Sequence, residues 1–254
     1  MNPLSVHSLS VRLGGRPTLA NVSFEIADGD TVALVGASGS GKTTLLRALL
    51  GLLPPDATIG GSILWQGREL AGAGEGEWRK MRGSVIGMIP QEPEAALDPR
   101  QTAAGHVRER LPRTAAAEAT VAELLSQVSL DPARGAEYPF QWSGGMQQRL
   151  LVAMALAQRP RLLLADEPTA ALDTLRQQEL IELLTALVAR GQLPALLVVT
   201  HDLAVAARLA RSVLVLDRGA IVEQGIAHAI WQHPAHAVTR ALAARQPAWP
   251  VGAS

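Results

Sequence analysis

Three short stretches of this chain combine residue types that handle phosphate. The first is Gly36-Ala37-Ser38-Gly39-Ser40-Gly41-Lys42-Thr43. An apolar run, Thr31 to Val35, leads into it, and Thr44-Leu45-Leu46-Arg47-Ala48-Leu49-Leu50 leaves it with a helical pattern. Strand, glycine-rich loop and helix in that order make a phosphate cradle of the GxxxxGK[ST] type. Glycines let backbone N–H groups converge on phosphate oxygens, and the helix start adds partial positive charge there. Lys42 is predicted to reach the β- and γ-phosphates of a nucleoside triphosphate, and the Thr43 hydroxyl to ligate Mg²⁺. The expected nucleotide contacts run from Gly36 through Thr44.

The second stretch supplies the acid that phosphoryl chemistry requires. In Arg161-Leu162-Leu163-Leu164-Ala165-Asp166-Glu167-Pro168, four apolar residues read as a buried strand that ends on two carboxylates. Asp166 is placed to hold Mg²⁺, and Glu167 to polarise a water facing the γ-phosphate. Taken alone, the stretch reads equally well as a strand ending in a solvated acidic turn. The upstream loop favours the catalytic reading. The third stretch, Trp142-Ser143-Gly144-Gly145-Met146-Gln147-Gln148-Arg149, puts paired glycines after a serine just before a helix, a second anion-ready helix start.

The elements around these stretches follow from pattern. Val6–Val11 and Val22–Ile26 alternate with turn signals and suggest antiparallel strands. The helix after the loop is expected to run to about Leu53, where Pro54-Pro55 stops it. Ser62–Gln66 and Val85–Ile89 read as strands, with a surface loop from Leu70 to Glu77. Residues 92–157 turn helical: Val121, Leu124, Leu125 and Val128 form a 3.6-period stripe within Ala115–Val128, and Met146–Gln158 is a further helix. Alternation of strand and helix resumes with Leu162–Ala165, Gln178–Ala189, Leu196–Thr200 and Leu203–Leu209. A hairpin, Val213–Leu216 with Ala220–Glu223, follows. Short apolar strands alternating with helices predict a mostly parallel sheet covered on both faces. The tail from Ala235 is expected to fray.

Composition sets outer bounds. Of 254 residues 48% are hydrophobic and only 3% aromatic, so the core must be aliphatic. Lys+Arg and Asp+Glu both number 23, a balance that argues against a general nucleic-acid surface. The absence of cysteine excludes disulfides and cysteine-held metal. Met1-Asn2-Pro3-Leu4-Ser5 lacks the pattern of a secretory signal, and no apolar run approaches the ~20 residues that span a bilayer.

The stretch around Ser143-Gly144-Gly145 resembles the signature motif of ATP-binding-cassette (ABC) ATPases, usually LSGGQ. Trp142 stands in the leucine position and Met146 in the glutamine position. The remaining motifs of that family fall in order. Gln91 matches the Q-loop glutamine, Ala170-Ala171-Leu172-Asp173 the D-loop, and Val198-Val199-Thr200-His201-Asp202 the switch histidine. The resemblance implies a P-loop NTPase core with an antiparallel β subdomain and an inserted α-helical subdomain. Its ATPase domain would be residues 1–230, with core 1–91 and 158–230, insert 92–157 and a tail 231–254. It implies catalysis by Glu167, His201, Gln91 and Lys42, and Mg²⁺ held with ATP by Thr43, Gln91 and Asp166. Ser143, Gly144, Gly145 and Asp173 would meet ATP across a dimer. One family element is missing: Arg12 or Leu13 stands where an aromatic usually stacks on adenine.

Further stretches resemble the peptide and nickel importers of that family, and the nickel-import subunit most. They are Gln91-Glu92-Pro93-Glu94-Ala95-Ala96-Leu97-Asp98-Pro99, Tyr138-Pro139-Phe140-Gln141-Trp142-Ser143-Gly144-Gly145-Met146, and His233-Pro234-Ala235-His236-Ala237-Val238-Thr239. The implied activity is ATP hydrolysis that powers import of nickel, a metal chelate or a di- or oligopeptide. The implied place is the cytoplasmic face of a bacterial inner membrane. The implied partners are two permease subunits, a second cassette (a paralogue by family habit, a second copy of this chain being the alternative) and, indirectly, an extracytoplasmic binding protein, with no nucleic acid. A soluble cassette ATPase in assembly or repair, and a regulatory ATP-binding subunit with weak hydrolysis, stay open. His228, His233 and His236 also permit a metal-site reading, although the HPxHxxT resemblance accounts for two of them.

Overall fold

The computed structural model describes residues 3–111, 117–170, 172–193 and 195–244. The strands are β1 (Leu4–Leu13), β2 (Arg16–Ile26), β3 (Thr31–Val35), β4 (Thr58–Trp65), β5 (Arg68–Glu69), β6 (Ile86–Ile89), β7 (Leu162–Asp166), β8 (Leu196–Thr200), β9 (Ser212–Asp217) and β10 (Ala220–Ile226). The helices are α1 (Lys42–Leu49), α2 (Glu75–Met81), α3 (Pro93–Ala96), α4 (Ala103–Glu109), α5 (Ala117–Gln127), α6 (Gly144–Leu156), α7 (Thr174–Ala189), α8 (Leu203–Leu209), α9 (Ala227–Gln232) and α10 (Ala237–Ala243). The chain forms two compact units, one of Met1–Arg79 with Ala195–Ser254, the other Lys80–Pro194. The second unit thus takes in strands β6 and β7 as well as the helices between them.

In the first unit, β2-β1-β4-β5 form an antiparallel sheet. Leu4, Val6, Leu9 and Val11 of β1 are buried, with the register shifting between Val6 and Leu9. There Ser8 has φ 49°, and a bulge resets the alternation so that both halves of the strand keep their apolar face inward. The other sheet of this unit centres on β3, which pairs in parallel with β8 and β9, while β10 pairs antiparallel with β9. β3 and β8 are buried at every position, as expected for parallel strands covered on both faces. On one side Leu203 and Ala206 of α8 pack with Ala33, Val35, Val213 and Val215. In the second unit β6 and β7 pair in parallel, with α3 to α7 around them in sequence.

Three expectations from sequence are corrected. The helix after the loop ends at Leu49, ahead of Pro54: Gly51 takes φ 61° and Leu52 N–H donates to Arg47 O at 2.8 Å, a left-handed cap that closes the helix first. The stretch Leu70 to Glu77 is no simple surface loop. Leu70 is fully buried and α2 starts at Glu75, carrying Trp78 against Gly51, whose α-hydrogen side has no room for even a methyl group. The segment after Ala235 forms α10, whose Leu242 joins the β3–α8 cluster with Val238 and Ala243 beside it. Pro247, Pro250 and Gly252 of the expected frayed tail lie outside the described residues, as do Ala115, Ala116 and Ala171.

Leu242→Ala removes a side chain that is 5% exposed. It is expected to lower unfolding free energy by about 2–5 kcal/mol, read by denaturant titration; a frayed tail would show no change.

Candidate functional site

The glycine-rich loop sits where the first unit's parallel strands end. Val35, the last residue of β3, is level with Thr200 of β8 and Val215 of β9, so the loop leaves from the carboxyl edge, the usual place for a ligand on such sheets. Gly36 follows at once. A Cβ there would lie 2.4 Å from Leu216 O and 2.5 Å from Ser40 Oγ, so only glycine lets the loop turn against β9. Gly41, at φ 111°, then starts α1 without a side-chain cap. The Lys42 ammonium folds back into the loop, donating to Gly36 O at 2.7 Å and Ala37 O at 3.0 Å, and the residue is buried. Gly219 N–H, in the β9–β10 turn, donates to Ser40 O at 2.8 Å and fixes the loop from the far end of the chain. Ser40 Oγ is buried with no hydrogen-bond partner, a polar atom of the cradle that the protein itself leaves unsatisfied.

His201 follows Thr200 at the same edge and is exposed. Its position is fixed by its neighbours: Asp202 N–H donates to Thr200 Oγ1, and the Asp202 carboxylate accepts from Ala204 and Val205 N–H as the cap of α8. The first unit therefore brings Gly36–Thr44 and His201 to one edge. Arg12 and Leu13 lie in the β1–β2 hairpin. The Arg12 guanidinium is turned back onto Gly15 O at 2.6 Å, and neither residue offers a ring.

The second unit gathers the acidic and amide groups in the same manner. Ile89 of β6 is level with Ala165 of β7. Gln91 and Asp166 therefore emerge from one carboxyl edge, followed by Glu167, a non-glycine residue at φ 41°. That left-handed backbone is uncommon outside glycine and turns the chain sharply after the strand. The hydroxyl of Thr43, the amide of Gln91 and the carboxylate of Asp166 are hard oxygen donors, the kind Mg²⁺ takes alongside phosphate.

Ser143 caps α6 by accepting from Met146 N–H at 3.4 Å, and Asp173 caps α7 by accepting from Arg176 N–H at 3.0 Å. The two helix starts are neighbours, since a Cβ on Gly145 would stand 3.3 Å from Arg176 Cδ. Trp142 and Met146 converge on one residue that sequence reasoning missed. Arg134 stacks its guanidinium 5.9 Å from the Trp142 ring centroid, and its Nη1 lies 3.6 Å from Met146 Sδ. Glu137 completes the network, accepting from Arg134 Nη2 at 2.7 Å and from Trp142 Nε1 at 2.8 Å. Hydrogen bonding to Arg134 first, and to Trp142 after the opposing effect of desolvation, holds the Glu137 carboxyl below its ordinary value. The signal in the sequence was the pair of departures from LSGGQ, which share a single partner.

Of the histidines near the end of the chain, His236 has structural work. Glu223 of β10 accepts from Ala235 N–H, His236 N–H and Thr239 Oγ1–H. His236 Nδ1 accepts from Val238 N–H and caps α10. Among the described residues no group of three or more His, Cys, Asp or Glu is placed to hold a metal ion.

The sequence matches the ABC transporter family over residues 19–170. The chain belongs to that family. It is 41% identical over 257 residues to the peptidoglycan transport ATP-binding protein YejF of Agrobacterium fabrum, spanning 96% of this chain and 47% of that protein, about half its length. It is 40% identical to the dipeptide transport ATP-binding protein DppD of Lactococcus lactis (90% of this chain, 68% of that protein). It is 35% identical to the metal-staphylopine import system ATP-binding protein CntD of Staphylococcus aureus (89% and 86%). Among solved structures, the dimeric post-hydrolysis state of the ATP-binding cassette MJ0796 bound to ADP and Pi aligns with a TM-score of 0.75 at 29% identity. That alignment covers 88% of this chain and 98% of that one. The fold is that of an ABC ATPase.

Two outcomes test the geometry. Gly36→Ala is expected to weaken ATP binding at least tenfold in equilibrium titration, because the methyl group must push the loop off Leu216 O. Glu137→Gln is expected to lower stability at pH 7. The native carboxyl titrates below its ordinary 4.5, so its contribution is present above that value and fades as pH falls through the lowered one. Thermal melts of the two proteins should accordingly converge in acid.

Proposed function

We propose that this chain is the ATP-hydrolysing cassette of an importer, working at the cytoplasmic face of a membrane with two membrane-spanning permeases and a second cassette. The observation that carries the reading is the loop: Gly36 packed on Leu216 O, with the buried, unsatisfied Ser40 hydroxyl beside Lys42. Such a cradle is built for phosphate oxygens. The Gly36–Thr44 backbone binds the triphosphate. Lys42 exchanges its loop carbonyls for the β- and γ-phosphates. Thr43, Gln91 and Asp166 would hold Mg²⁺, which would supply neutralisation of phosphate charge. Glu167 takes the proton of the attacking water, and His201 donates to the γ-phosphate.

Ser143, Gly145 and Asp173 serve the nucleotide held by the facing cassette, so that ATP joins two cassettes and hydrolysis releases them. No described helix is long and apolar enough to cross a membrane. A cavity of about 250 Å³ beside the Gln91 segment, lined by Met88, Pro90, Leu151 and Met154 together with Arg110 and Gln158, suits a permease element that is apolar with a polar contact. Relatives that transport peptidoglycan, dipeptides and metal-staphylopine support a cargo among peptides and metal chelates, and the resemblance of the sequence to the nickel importers adds nickel.

The test is Glu167→Gln, expressed in its host and purified from membranes. It is expected to co-purify with two membrane-spanning proteins, to bind ATP normally, and to turn over ATP 10²- to 10⁴-fold more slowly, roughly the scale of one general base. A cassette acting in assembly or repair would bring no membrane subunits, and a regulatory subunit would leave turnover unchanged.

A further inference from the structure

The chain has one tyrosine and two phenylalanines. Phe24 is buried, but Tyr138 and Phe140 stand on the surface, 38% and 71% exposed. Their rings stack on each other, centroids 5.6 Å apart and planes within 8° of parallel. The segment that carries them is pinned to the start of α6. Tyr138 N–H donates to Gln141 Oε1 at 2.8 Å, and Gln147 Nε2 donates to Pro139 O at 2.8 Å and Trp142 O at 3.2 Å. A rigid stacked pair with one open face is a platform for another planar π-system. Its rings come five and three residues before Ser143, the serine proposed to meet a nucleotide on the facing cassette. The β1–β2 hairpin of the same chain offers the base no ring, since Arg12 is tied to Gly15 O and Leu13 is aliphatic.

We propose that Tyr138 and Phe140 stack on the adenine of the ATP held by the P-loop of a second copy of this chain. The inference rests on the facing-cassette reading above. The base takes the open face of Phe140, because the other face is occupied by Tyr138. A single protomer then grips its nucleotide by the phosphates, and the base gains its ring only when the dimer closes.

The experiment measures ATP-driven association of the Glu167→Gln chain by sedimentation, alone and with Phe140→Ala or Phe140→Trp added. The alanine variant is expected to need about tenfold more ATP to associate, the scale of one base-stacking contact, while the tryptophan variant associates like its parent. ADP affinity of the monomer stays the same in all three, and an unchanged melting temperature confirms the fold. With UTP, whose single ring stacks less, the alanine effect shrinks. Unchanged association in the alanine variant overturns the proposal. So does a drop in monomer ADP affinity, which would place the ring against the chain's own nucleotide, and so does an equal loss with ATP and UTP, which would make it a protein contact. Failure of the parent to associate with itself in ATP overturns the assignment to a second copy of this chain, and failure also with the partner cassette that co-purifies with it overturns the facing-cassette reading itself.

Discussion

The close approach of Gly36 to Leu216 O is the constraint on which the first unit depends. It demands that β3 be held on both edges, by β8 on one side and β9 on the other. It also demands that the residue after Val35 lack a side chain. Given those two conditions the loop has one path, Gly41 can adopt φ 111°, and α1 begins with its N–H groups aimed back over the loop. The apolar run Thr31–Val35 is therefore more than core. Its complete burial sets the level at which the loop departs, and with it the place of Lys42 relative to His201.

Much of this was legible because the elements that matter are local. Thr31–Val35, Leu196–Thr200 and Leu203–Leu209 appear in the structure with the bounds their apolar patterns gave. The phosphate loop announces itself by glycine spacing alone. What stayed hidden depends on partners distant in sequence. Pro54-Pro55 looked like the end of α1, yet Gly51 ends it earlier by a cap whose worth lies in the contact with Trp78. Leu70 sits in a stretch rich in glycine and alanine, yet its N–H donates to Ile63 O of β4 and its side chain is fully buried. α10 is short and alanine-rich, so its own propensity says little. Glu223 and the β3–α8 cluster hold it in place.

The signature segment shows how a motif can change letters and keep its geometry. Trp142 is larger than the residue usual at that position, and a buried indole needs a partner for its N–H. Glu137 provides it, Arg134 balances Glu137, and the same guanidinium reaches Met146. Each departure would look like drift when read singly. Read together they are one packed polar cluster under the start of α6. The exposed, stacked rings of Tyr138 and Phe140 stand on a segment that Gln141 and Gln147 anchor.

The bond from Gly219 N–H to Ser40 O joins residues far apart in the chain, with β8 and β9 made between them. A ribosome that has just released the phosphate loop has yet to make β8, β9 and the turn that closes it. At about 5–20 residues per second the wait is on the order of ten seconds. Through that interval the nascent protein carries a complete glycine-rich string that is not yet a receptor. The tie that holds the cradle from behind is thus among the last contacts of the first unit that synthesis makes available.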